Sequence, residues 1–84
     1  MTKRYAILIS KVPNSNYSAH APDVDGCIAT GATPQEVIQL MKEGLEFHFQ
    51  GMREDGDPIP DPITEVAYVD VEIPAPVPDA VRVR

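Results

Sequence analysis

Tyr17-Ser18-Ala19-His20-Ala21-Pro22-Asp23-Val24-Asp25-Gly26-Cys27-Ile28-Ala29-Thr30, followed by Thr33-Pro34-Gln35-Glu36, reads in order as strand, turn, strand and helix cap. Tyr17, Ala19 and Ala21 alternate with Ser18 and His20, the period of a strand with one wet face. Pro22 to Gly26 carries the residue types that reverse a chain, and Cys27 to Thr30 is a short apolar strand. Thr33 suits an N-cap, Pro34 the first helical position, and Glu36 completes a T-x-x-E capping box.

Downstream of that cap the period changes to a helix. At ~100° per residue, Val37, Ile38, Met41, Gly44, Leu45, His48, Phe49 and Met52 share one face, with Gln35, Gln39, Lys42, Glu43, Glu46 and Gln50 opposite. Leu40 and Phe47 lie beside the apolar face and widen it. Gly44 costs about 1 kcal/mol relative to Ala in a helix, which suggests a close approach of another backbone there. Asp55-Gly56-Asp57-Pro58-Ile59-Pro60 ends the helix, with Gly56 for a left-handed stop and Pro58 barring continuation.

Upstream, Tyr5-Ala6-Ile7-Leu8-Ile9 reads as a central strand buried on both faces, joined to the next strand by the turn Lys11 to Asn16. Beyond the helix, residues 57–62 form a proline-spaced connector. Val66, Tyr68, Asp70 and Glu72 then alternate with Ala67, Val69, Val71 and Ile73, which predicts a fourth strand. The expected fold is α+β, a two-layer β-β-β-α-β arrangement with one helix on a four-stranded mixed sheet. Residues 1–73 form that domain. Residues 74–84 form a proline-rich tail ending Val81-Arg82-Val83-Arg84, either frayed or adding a strand to another subunit.

With 84 residues the chain holds one small domain. Such a domain has a modest core, and a homodimer is expected because association covers what a small core leaves wet. A net charge of −6 opposes binding to nucleic-acid phosphates and favours a basic partner. A single cysteine forms no intramolecular disulfide and suits the cytoplasm. Neither a signal peptide nor a membrane span is expected, since no apolar run approaches the ~20 residues a span needs.

Tyr17 to Cys27, Ala29 to Glu36 and Asp55 to Pro62 together resemble the HicB-type antitoxin family, in order as well as in residue type. The resemblance covers roughly residues 5–73. It implies a partial ribonuclease-H-like fold without the nuclease site, and a role in binding and neutralising a small basic HicA-type toxin that cleaves messenger RNA. Many members continue into a DNA-binding segment. No groove-reading helix fits in Ala75 to Arg84, so the resemblance is to a solitary form, and direct nucleic-acid binding is not expected.

No catalytic or metal constellation is expected, and no cofactor. Placing Asp23, Asp25 and Gly26 in a calcium-loop pattern puts Ala21 first and Ala32 last, where ligands are needed. Asp55, Asp57 and Asp61 stand in turns and beside prolines, where Asp bonds its local backbone. His20 and His48 alone under-ligate a metal. Cys27 reads as a packed hydrophobe rather than a nucleophile. Asp23, Asp25, Leu40, Phe47, Asp55 and Asp57 are the expected partner-binding residues, the two apolar ones having cover by a loop or the tail as their alternative. The alternative function is an orphan oligomeric binding module with no toxin partner.

Overall fold

A computed structural model describes residues 1–11 and 13–77. Three strands precede one helix: β1 (Leu8–Lys11), β2 (Tyr17–His20), β3 (Ile28–Gly31) and α1 (Pro34–Glu54). The strands form an antiparallel sheet in the order β1-β2-β3. Leu8 pairs with His20, which pairs with Ile28; Ser10 pairs with Ser18, which pairs with Thr30. The alternation in Tyr17 to Ala21 therefore sorts the sheet into an apolar face under the helix and a face that no described element covers. On that open face the Ser10 and Ser18 hydroxyls meet at 3.3 Å.

The helix follows from its cap. Thr33 Oγ1 accepts from the Glu36 amide at 3.1 Å, and Glu36 Oε1 accepts from the Ala32 amide at 3.1 Å, one residue beyond the usual capping-box partner. Its far end closes with Gly56 at φ 77°, its amide donating to the Arg53 carbonyl while Asp57 N donates to the Met52 carbonyl. That crossed pair is a Schellman stop, and it places the left-handed glycine where the sequence predicts one.

Val37, Met41 and Leu45 of α1 close over Ala19, Ala21, Val24 and Cys27 to make the core. The helix runs antiparallel along β3. A Cβ built at Gly31 would meet Glu36, and one at Gly44 would lie 3.7 Å from Cys27 Sγ. That second distance is ordinary packing against a side chain, so no backbone crowds Gly44 and the close approach expected there is corrected.

Two further expectations change. The sheet has three described strands, not four: residues 66–73 form no strand and pair with none among the described residues. Consequently β1 is an edge, and Leu8 to Lys11 are all exposed rather than buried on both faces. The tail segment Val81 to Arg84 lies outside the described residues.

The chain beyond the helix first runs beside the N-terminal residues. Tyr5 donates its hydroxyl to the Pro60 carbonyl at 2.6 Å, and Lys3 pairs with Asp61 at 2.9 Å. From Glu65 to Val77 every residue is exposed, and none of the hydrogen bonds among the described residues involves this stretch. The radius of gyration is 18.5 Å, whereas a compact chain of this size has about 12 Å. The arm explains the excess.

Candidate functional site

Two surfaces stand out, on opposite flanks of α1. On the helix's outer flank, Leu40 and Phe47 are 40 % and 80 % exposed. Seven residues apart, they nearly align along the axis, and at ~100° per residue Glu36, Glu43 and Glu54 fall within the same arc. Two apolar anchors thus sit between carboxylates. Glu43 Oε2 accepts from Gln39 Nε2 at 2.8 Å, which holds one of those carboxylates beside the stripe.

Asp55 and Asp57 are exposed just past the end of α1. Helix carbonyls carry partial negative charge at a C-terminus, so these carboxylates deepen a field that attracts cations. Asp25, also exposed, belongs to the turn ending at Gly26, φ 80°. Cys27, next to that turn, packs at Gly44 in the middle of α1, so Asp25 lies beside the helix rather than at its C-terminal end.

Asp23 has a different setting. Its Oδ2 accepts from the Ile63 and Thr64 amides at 3.0 and 2.9 Å, and its Oδ1 accepts from the Thr64 hydroxyl at 2.6 Å. The Thr64 hydroxyl is the largest cause, with the two amides adding to it, of a carboxyl held below its usual range. Its donors are internal, so Asp23 fixes the root of the C-terminal arm. Sequence reading could not locate this contact, since its partners lie 40 and 41 residues away.

His20 is exposed on the open sheet face, and His48 is half-buried beside Phe49, with ring centroids 6.2 Å apart. Cys27 is buried, and burial pushes its thiol up, away from the thiolate a nucleophile needs. Among the described residues, no three His, Cys, Asp or Glu side chains converge in a way that could hold a metal ion.

The other flank of α1 borders an open groove of about 920 Å³. Tyr5 and Ile7 wall one side, and Ile38, Leu45 and Phe49 the other. Tyr5 and Phe49 rings lie 5.1 Å apart at its end. Lys3, Lys42 and Arg53 also line it. Ile38 and Phe49 were legible as one helix face, but the wall opposite them comes from the N-terminal segment and carries no local signal.

The sequence model described as a HicB-like antitoxin of bacterial toxin–antitoxin systems matches residues 5–74. The chain belongs to this family. The chain is similar to an uncharacterised 14.9 kDa protein of the rep-hol intergenic region of Haemophilus phage HP1, 43% identical over 56 residues, which are 67% of this chain and 41% of the phage protein. A UPF0150 protein of Synechocystis is 30% identical over 56 residues, 67% of this chain and 71% of that protein. The match thus spans under half of the phage relative. No solved structure matches significantly. No helix among the described residues is long and apolar enough to cross a membrane.

Proposed function

We propose that this HicB-like chain binds and neutralises a small basic HicA-type toxin that cleaves messenger RNA, acting by contact in the cytoplasm and as a homodimer. The observation that carries the reading is the outer flank of α1, where exposed Leu40 and Phe47 stand between carboxylates in a chain of an antitoxin family. Apolar anchors supply affinity once desolvated, while surrounding charge sets approach rate and partner choice. A toxin that grips RNA presents cations, and Asp25, Asp55 and Asp57 extend the negative field it would meet. Occupying that cationic face removes the substrate's place, so neutralisation needs no catalytic group from the antitoxin.

The test is to co-express the chain with the small basic protein encoded beside it, purify the pair, and assay messenger RNA cleavage against added antitoxin. Co-purification and loss of cleavage near equimolar addition are expected. A toxin that neither binds nor slows in the presence of the folded chain overturns the proposal.

A further inference from the structure

β1 is an edge strand with the sequence of an interior one. Tyr5-Ala6-Ile7-Leu8-Ile9, which leads into and begins β1, carries no charge or proline, the devices that protect exposed edges; Lys11 at the far end is the one charge of the strand, and among the described residues β2 is its only neighbour. Beside this edge lies the apolar groove between the N-terminal segment and α1. Elsewhere in the same molecule is an element with the opposite deficit. Residues 65–73 alternate as a strand should, but they are exposed and unpaired, with Val69 81 % and Ile73 84 % exposed.

The two deficits match. Ala67, Val69, Val71 and Ile73 point to one side of an extended chain, whereas Asp70 and Glu72 point to the other. One face is apolar enough to cover Ile7, Ile38, Leu45 and Phe49, and the other suits water. Charge does not oppose this: Lys3 is paired with Asp61 and Lys42 with Glu46, which leaves Arg53 in the groove lining to meet Glu65, the carboxylate on the same side of the arm as Val69. The arm does not fill its own groove. Asp23 fixes Ile63 and Thr64 at the β2–β3 turn, and beyond that point the chain leaves the body.

We propose that the occupant of this groove is the arm of a second copy: residues 65–73 of each chain add a fourth strand along the outer edge of the partner's β1, with the Val69–Val71–Ile73 face over the groove. The exchange is reciprocal and closes under two-fold symmetry. It gives each sheet the four strands its sequence encodes, and it places the exchange before Pro74 rather than in the terminal tail. Leu40 and Phe47, on the opposite flank of α1, stay open in the dimer. This inference rests on the homodimer in the proposed function and not on the toxin.

Zero-length carbodiimide cross-linking of an equal mixture of isotopically heavy and light full-length chains tests it directly. Links from Lys3 or Lys42 to Glu65, the carboxylate on the groove-facing side of the arm, that join heavy to light peptides are expected, with light scattering giving twice the 9.2 kDa chain mass. The same links found only within one isotope would show an arm closed on its own groove, and would overturn the proposal. So would a monomer mass at all concentrations. Val71→Asp raises the dimer dissociation constant by about a hundredfold if Val71 is desolvated at the contact, whereas Tyr68→Asp, on the wet face, leaves it unchanged; equal effects of the two would also overturn it. Toxin binding by a chain that remains monomeric would separate failure of the exchange from failure of the antitoxin reading.

Discussion

Asp23 grips Thr64 with both carboxylate oxygens, Oδ2 on the amide at 2.9 Å and Oδ1 on the hydroxyl at 2.6 Å. The contact joins the β2–β3 turn to the root of the C-terminal arm, and it is what directs the arm off the body.

Its pH dependence has a definite sign. These donors favour the charged carboxylate, so the folded carboxyl titrates below its unfolded value of about 3.9. The stabilisation is present above that value and is lost as pH falls through the lower, folded one. Between neutral pH and pH 5 the Ile63 and Thr64 amides are therefore expected to keep their protection from hydrogen exchange, and to lose it only as pH falls through the folded carboxyl's lowered value, beneath the unfolded one. Asp23→Ala removes that protection at neutral pH while leaving amides in the middle of α1 unchanged. Equal protection in the variant and the parent would show that Asp23 does not hold the arm.

Gly44→Ala is expected to stabilise the domain by about 0.5–1 kcal/mol. Its new methyl would meet Cys27 Sγ at 3.7 Å, an ordinary contact. The helix gains propensity and loses no room. Urea unfolding measures this as a higher midpoint at constant slope. A lower midpoint would mean that the neighbourhood of Cys27 is tighter than this distance implies.

Thr33→Ala leaves the Glu36 amide without its hydroxyl acceptor. Loss of such a cap costs about 1 kcal/mol. Thr33→Asp supplies another side-chain acceptor at the same place and is expected to recover most of that loss. Thermal unfolding of the three proteins orders them, and an alanine variant as stable as the parent would remove the cap from the account.

What was legible and what was not divide by the range of the physics. The Thr33–Glu36 cap, the Gly56 stop and the face formed by Val37, Met41 and Leu45 all arise between residues a few positions apart, and all appear as read. The alternation of residues 66–73 was equally clear as a strand pattern, but alternation does not say which sheet a strand joins. The Asp23–Thr64 contact decides where the arm goes, and no local pattern marks it. The first strand shows the same limit. Tyr5 to Ile9 reads as interior, while pairing observed within one chain covers only Leu8 to Lys11, on one side. For the candidate site, helical spacing was enough to pair Leu40 with Phe47. Seeing that they face away from the groove required the N-terminal segment to be placed against the other flank.

That separation of flanks leads to the last prediction. Phe47→Lys puts a cation where a basic toxin would bring its own, and removes a large exposed anchor. Because Phe47 is 80 % exposed, the substitution is expected to change stability by no more than about 0.5 kcal/mol. Loss of a hot-spot aromatic combined with like-charge contact is expected to weaken toxin binding by about a hundredfold. Titration calorimetry with the toxin and thermal unfolding of the free chain measure the two quantities separately. The dimer mass should not change, since the arm and its groove lie on the other side of α1. Undiminished toxin affinity in a folded, dimeric Phe47→Lys chain would move the toxin-binding surface away from this flank, to the open sheet face bearing Leu8, His20 and Ile28.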